Sequence, residues 1–430
     1  MKKTLAFVLA ISMVFCVCGC KSGEGNNSSE SVVIEYESIV VDENGNVASS
    51  GTDATSGNSN LNTSGNDSMT ANSASSANQN TSAIDYNTIV EVDICDDISR
   101  CYLDLTTAKR EYDWLSEYSG IRCDYQNLVL NWNFDGSSLY TLYFSENADF
   151  SNALIISTST STAKNAVLIP GKTYYWKVTG TITNDVLGGG RIKVKDAPVR
   201  WINIDGASNV RDMGGWTTAS GQKVKYGMLY RGQNIDNITD TGIATIKQLG
   251  LKTELDLRYE KQKYQKQGTG MNYVFLETSA QYDMIFQERL SNEVKTNYRR
   301  IFELLSDESN YPFYTHCSAG ADRTGVFAFL TNGVLGVSYE DLTRDFELTS
   351  FSSSGKRWRG NGTGNTFTEN DLEMEVTGNY VAWGKLYKGM MDYGRNNGCT
   401  TLQSSTEHFL LNYVGVPQSQ IDSFKRIMLG

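Results

Sequence analysis

His316-Cys317-Ser318-Ala319-Gly320-Ala321-Asp322-Arg323-Thr324-Gly325 follows the apolar run Tyr311 to Thr315 and leads into apolar positions Val326, Phe327, Leu330 and Val334, which end near Gly336. The run reads as a strand and the spaced apolar positions as a helix, so the intervening block is a tight loop on an α/β sheet. At such a loop, backbone N–H groups converge on the helix N-terminus and its dipole favours an anion. Cys317 at the loop mouth feels the same field, which lowers a thiol pKa. Arg323, six residues on, supplies a planar fork matched to phosphate oxygens. A thiolate, a ring of amide donors and a guanidinium in one short block suit phosphoryl transfer, because thiolate and phosphate repel unless the cradle neutralises both. His316 and His408 are the only histidines of the chain, which leaves little material for a Cys-His-Asn or Ser-His-Asp enzyme.

The chain has 430 residues, and domains of about 100–200 residues predict two or three folded units. It is 40% hydrophobic and 20% charged, with 39 Gly and 4 Pro. That composition fits globular domains with a polar insert and excludes a collagen, a coiled coil and a polytopic membrane protein. The net charge is −11. A chain this acidic is a poor partner for nucleic acid or an anionic lipid surface, and any polyanionic substrate needs a local basic site.

The N-terminus reads as a leader. Lys2 and Lys3 precede an apolar stretch from Leu5 to Val17 that is too short to span a bilayer. It ends Val17-Cys18-Gly19-Cys20, which resembles a bacterial lipobox. The resemblance implies a signal peptide over 1–19, lipidation of Cys20, and an exported lipoprotein anchored on the extracytoplasmic side of a membrane. No Lys or Arg occurs from Ser22 to Ser99, and Asn44 to Ser82 is almost entirely Ser, Asn, Thr, Gly and Ala. Residues 20–84 therefore read as a disordered tether, whose central stretch spans about 35 Å as a flexible coil.

Residues 85–199 read as an all-β module. Leu128 to Phe134 alternates apolar and polar, Leu139 to Phe144 and Thr173 to Thr179 follow, and Asp-Gly and Pro170-Gly171 turns separate them. The pattern Leu130-x-Trp132, Tyr140-x-Leu142-x-Phe144, then Pro170-Gly171-Lys172-Thr173-Tyr174-Tyr175-Trp176 resembles a fibronectin type III sandwich over about Asn127 to Asp196. Its aromatics read as core, with a protein or glycan docking face as the alternative. Tyr112 to Tyr118 reads as a short helix on that sandwich. Cys95, Cys101 and Cys123 allow one disulfide in an exported protein.

The His316–Gly325 block, with Asn209-Val210-Arg211-Asp212-Met213-Gly214-Gly215, Gly227 to Arg231, Asp256-Leu257-Arg258 and Tyr298 to Phe302, resembles the atypical bacterial branch of the cysteine-dependent tyrosine and dual-specificity phosphatases. The resemblance covers 200–430 and implies a mostly parallel sheet between helices and hydrolysis of phosphomonoesters without metal or cofactor. By that resemblance Cys317 attacks phosphorus and Arg323 grips the equatorial oxygens. Ser318, Ala319, Gly320, Ala321, Asp322 and Arg323 cradle the phosphate, Thr324 stabilises the departing thiolate, and His316 orients Cys317 from behind. For the general acid, Asp322 and Asp256 stand level, ahead of Asp283, and each has a structural alternative; for Asp256 it is a bridge to Arg258 or Arg231. Several lipid- and multi-specific relatives have Lys where this loop has Ala321, which turns the expectation toward phosphotyrosine-like esters. Arg211, Arg231, Arg258, Lys356 and Arg357 are candidates for a basic rim that would reopen inositol phosphates or phospholipid head groups. A surface binding protein with a vestigial phosphatase domain is the non-enzymatic alternative.

Overall fold

The computed structural model describes residues 84–106, 108–123, 128–159, 162–163, 168–183, 185–278, 290–353, 355, 357 and 383–430. The leader, Cys20, the tether up to residue 83, Asp283 and Lys356 lie outside the described residues. In chain order the elements are β1 (Ile89–Val92), α1 (Asp97–Leu103), α2 (Ala108–Glu117), β2 (Leu128–Val129), β3 (Tyr140–Ser145), β4 (Leu154–Thr158), β5 (Thr162–Ala163), β6 (Thr173–Gly180) and β7 (Val186–Val194). Then come β8 (Arg211–Asp212), β9 (Leu229–Gly232), α3 (Asp240–Gln248), β10 (Thr253–Asp256), β11 (Asn272–Phe275), α4 (Asn292–Leu305), β12 (Phe313–His316), α5 (Arg323–Leu335), α6 (Tyr339–Glu347), α7 (Trp383–Asn396), α8 (Leu402–His408) and α9 (Gln418–Leu429).

The N-terminal strands form a sheet of order β1-β7-β6-β3-β4, antiparallel except for the β1–β7 pair, beside a two-stranded β2–β5 ribbon. β6 alternates half-buried and buried positions along its length, as a strand with one face on a core must. Trp132, Tyr140, Leu142, Phe144, Trp176 and Val178 build that core. Where the sequence suggests a strand from Leu128 to Phe134, ladder pairing stops at Val129. Leu130 and Trp132 stay buried all the same, because a side chain can enter the core without its backbone joining the ladder.

Helices α1 and α2 correct the expected packing. The sequence places a helix near Tyr112 to Tyr118 on the sandwich, but Tyr102, Leu115 and Cys123 share a core with Phe302, Phe313, Phe329 and Trp383 of the C-terminal part. Trp201 Nε1 donates to Ser99 Oγ at 2.7 Å, and the Tyr102 hydroxyl donates to Glu347 on α6 at 2.5 Å. The helical hairpin is thus a buttress of the α/β part.

The second sheet has the order β11-β10-β12-β9-β8, with β11, β10, β12 and β9 parallel and β8 antiparallel at the edge. Strand alternation sorts its side chains into two cores. Leu229, Leu255 and Phe313 join the large cluster of α4, α5 and α9, whereas Tyr230 and Tyr314 join the cluster beneath α3. All residues of α5 are buried, which explains why it is apolar all round instead of amphipathic. Gly336 ends it at φ 92°, a left-handed C-cap. Trp383 stacks on Phe346 at 4.4 Å between centroids, so the aromatics of α7 belong to the core.

Leu115 is fully buried whereas Ile182 is 63% exposed. Leu115→Ala is expected to cost about 2–5 kcal/mol, and Ile182→Ser less than about 0.5 kcal/mol, in urea unfolding followed by fluorescence. Equal, small effects would contradict the buttress role of the hairpin.

Candidate active site

β12 delivers His316 to the carboxyl edge of the sheet, where ligands bind in open α/β folds, and the chain turns through residues 317–322 into α5. What shapes the turn is the fate of its carbonyls. Ser318 O accepts from Asn234 Nδ2 at 2.8 Å, Ala319 O from Asn209 Nδ2 at 3.0 Å, and Gly320 O from Arg231 Nη2 at 2.8 Å. The same Arg231 nitrogen lies 3.4 Å from Ala321 O. A trans peptide points its N–H opposite to its C=O, so four carbonyls held outward turn the N–H groups of residues 319–322 to the concave side. Gly320 has φ +67°, and a Cβ there would lie 2.2 Å from Gly232 O. Only glycine satisfies both demands.

The donors are themselves fixed by a buried ion cluster. Asp345 of α6 accepts from Arg211 Nε at 2.9 Å and from Arg231 Nη1. Arg211 also bonds Asn209 Oδ1 through Nη1, steering the amide that holds Ala319. Asn209 adopts φ 59°, a left-handed conformation that Asn tolerates. Burial first, then the adjacent Arg231 charge, pulls the Arg211 guanidinium down to about 10, whereas the two arginines outweigh burial and hold the Asp345 carboxyl below its usual range. The expected basic rim is corrected here. Arg211 and Arg231 are buried on Asp345, Arg258 is buried between Asp236 and Asp256, and the Nε of buried Arg357 lies 3.5 Å from Asp322. These cations face carboxylates because a buried guanidinium without a counter-charge is too costly.

Cys317 is 3% exposed. Burial alone raises its pKa; the neighbouring Thr324 hydroxyl and backbone N–H, with the Arg323 charge, outweigh it, and the thiol falls below its ordinary value. Arg323 is close enough for its charge to act on the thiol, with Nη1 3.4 Å from Leu257 O and its guanidinium 4.3 Å from the centre of the Tyr259 ring. Ser318 Oγ accepts from Gln262 Nε2 at 3.3 Å. His316 is fully buried behind the loop, with Nδ1 3.2 Å from Cys317 O and Nε2 3.1 Å from Glu254 Oε1.

The acids separate by environment. Asp256 is fully buried and already saturated: Arg258 donates from its backbone N–H at 2.9 Å and from Nε and Nη2, and the Tyr273 hydroxyl donates at 2.9 Å. Burial opposes ionisation, but the Arg258 hydrogen bonds and the His316 charge win, so its carboxyl is held below the usual range. A carboxylate in such a cage does not keep a proton to give away, and the structural alternative read from the sequence, the bridge to Arg258, is the observed arrangement. Asp322 stands at the N-cap of α5 without capping it, and its side chain is 33% exposed. Among the described residues Cys95, Cys123, Cys317 and Cys399 are free thiols. Among the described residues no group of three or more His, Cys, Asp or Glu side chains is placed to hold a metal ion.

Sequence reading missed Glu254, Asn234, Asp236, Tyr259, Gln262 and Asp345. Glu254-Leu255-Asp256 carried a faint signal, since two carboxylates at i and i+2 share a strand face. Asp345, more than a hundred residues from the arginines it binds, carried none.

A Cupriavidus necator protein that carries a tyrosine-protein phosphatase name is 27% identical over 165 residues, which cover 33% of this chain and 60% of that protein. Among solved structures, the core catalytic domain of the S. cerevisiae PP-IP phosphatase SIW14 aligns at 17% identity and TM-score 0.23, covering 29% of this chain and 72% of its own. P. aeruginosa TpbA bound to pTyr aligns at 20% identity and TM-score 0.23, covering 30% and 75%. The family model described as the tyrosine phosphatase family matches residues 202–430, more than half of the chain. That match begins just before the Asn209–Arg211 segment that grips the loop, includes the loop itself and runs to the last residue of the chain, and by it this chain belongs to the tyrosine phosphatase family.

Proposed function

We propose that residues 200–430 are a cysteine-dependent phosphoric monoester hydrolase acting on phosphotyrosine or similar esters. The observation that carries the reading is Cys317 in a loop whose carbonyls at residues 318–320 are pulled outward, leading into the helix that Arg323 opens; the lowered thiol pKa agrees with it. The Cys317 thiolate forms the S–P bond as the P–O bond of the ester breaks. The N–H groups of the loop and Arg323 stabilise the equatorial oxygens. Asp322 gives its proton to the leaving oxygen, and its carboxylate then takes one from the water that attacks phosphorus. The S–P bond breaks, orthophosphate leaves, and the Thr324 hydroxyl stabilises the returning thiolate. Asp322 is preferred because it is partly exposed at the loop, whereas Asp256 is spent on Arg258.

The substrate assignment follows from charge. With Ala321 in the loop and Arg211, Arg231 and Arg258 matched by buried carboxylates, the described site suits one dianionic group better than a ring of phosphates. A lipidated Cys20 would hold this activity outside the cytoplasmic membrane, and the fibronectin type III-like β module would present it there or dock a protein or glycan. A side-by-side assay of phosphotyrosine peptides and phosphorylated inositols tests the assignment, and higher kcat/KM on the inositols would overturn it.

Cys317→Ser is expected to lower p-nitrophenyl phosphate hydrolysis by at least about 10³-fold, with the fold intact by circular dichroism; full activity would end the proposal. Wild-type kcat/KM should rise as pH climbs through the lowered thiol pKa. Asp322→Asn should cost about 10²–10⁴-fold on phosphotyrosine, with a smaller loss on p-nitrophenyl phosphate, whose leaving group needs little protonation. A leaving-group-dependent loss that is absent in Asp322→Asn and present in Asp256→Asn would move the acid role to Asp256.

A further inference from the structure

Glu254 takes no part in the steps above, yet it is 1% exposed and lies against His316. In the β10–β12 register Glu254 faces Tyr314 and Asp256 faces His316. Glu254 and Asp256 therefore lie on one face, and His316 sits diagonally across from the first and directly beside the second. Glu254 Oε1 is 3.1 Å from His316 Nε2, and Asp256 Oδ1 is 3.9 Å from Nδ1. Glu254 Oε2 is buried and has no hydrogen-bond partner among the described residues. A buried carboxylate oxygen left bare is costly, and a glutamine or an apolar residue would fill the place more cheaply if filling were its purpose.

The surrounding charges leave one counter-ion for it. Arg258 is matched by Asp236, at 2.6 and 3.1 Å, and by Asp256. The Tyr273 hydroxyl is given to Asp256 and the Tyr314 hydroxyl to Gln233 O. Among the described residues the imidazole is the cationic group that Glu254 meets. A buried imidazole between two carboxylates keeps its proton despite desolvation, and both its nitrogens then donate, Nε2 to Glu254 and Nδ1 to Cys317 O.

We propose that Glu254 is a positioning residue for the nucleophile, holding His316 as an imidazolium directly behind Cys317 so that its charge stabilises the thiolate. Glu254 touches neither substrate nor sulfur, and its effect passes through the histidine. The assignment deepens the phosphatase reading by naming what, besides Thr324 and Arg323, keeps the sulfur ionised. Its direction for His316 is upward, through the Glu254 hydrogen bond and the Asp256 and Glu254 charges acting against burial and Arg258.

Alkylation of Cys317 by iodoacetamide tests this without turnover, so its failure leaves the phosphatase reading standing and the reverse also holds. The full chain is used, with Cys317→Ser supplying the background from the other thiols. Glu254→Gln keeps the shape and removes the charge. The midpoint of the alkylation rate against pH is expected to rise by about one unit, making alkylation about tenfold slower below it, while Glu254→Asp retains most of the wild-type midpoint. In a His316→Gln background the sign reverses: Glu254→Gln now removes only a bare negative charge, so the midpoint falls or stays. This second arm also serves if Glu254→Gln alone does not fold. A folded Glu254→Gln with an unmoved midpoint, or a rise of equal size in the absence of His316, would overturn the proposal.

Discussion

The outward pinning of four consecutive carbonyls is the constraint on which the site depends. A loop of six residues has no regular ladder to fix its peptide planes, and without help each plane would settle wherever solvent and sterics allowed. Here Asn234, Asn209 and Arg231 take the carbonyls of residues 318–321, and the opposing N–H groups follow because the peptide unit is planar. The anion site is thus a consequence of donors placed behind the loop. Its electrostatic strength rests on groups that never touch a ligand.

Holding those donors requires charge in the interior, and the fold supplies it in matched sets. Asp345 sits between Arg211 and Arg231, and Arg258 between Asp236 and Asp256. Arg200, equally buried, bonds Asp212 and the Tyr230 hydroxyl and reaches Leu168 O of the β module. Replacing such clusters by apolar side chains is often neutral for stability, whereas removing one member strands the rest. Their value here is geometric: a guanidinium has five donors in a rigid plane, and Arg231 spends two nitrogens at once, one on Asp345 and one on the loop.

The parts of this site legible in the sequence are the local ones. Strand, loop and helix N-terminus are contiguous from Tyr311 to Gly336, so Cys317, Arg323, Gly320 and the helix stop at Gly336 could be read directly, and in the register of β12 against β10 His316 lies beside Asp256. The non-local parts were illegible. Nothing near Arg211 or Arg231 in sequence announces Asp345, so both looked like free cations for a rim. Asp256 failed differently. A carboxylate ending a strand at the sheet edge has the address of a general acid, and only the guanidinium two residues on, folded back upon it, shows that its charge is already committed. The α1–α2 hairpin was misplaced because an amphipathic helix shows which face it buries but not against which core.

A chain of net charge −11 that binds a dianion poses a contradiction only if binding is taken to need net positive charge. Backbone N–H groups carry no formal charge and add nothing to that sum, yet oriented together at a helix N-terminus they create a strong positive potential over a few ångströms. With the interior arginines neutralised by Asp345, Asp236 and Asp256, the long-range field of the described site stays weak while the short-range field remains high. Such a site grips one phosphoryl group at contact distance and offers little steering to a highly charged ligand approaching from solution. Tyr259 lies over Arg323 and Gln262 against Ser318, and on the proposed reading a half-exposed ring beside that guanidinium would favour an ester whose own leaving group is flat and apolar.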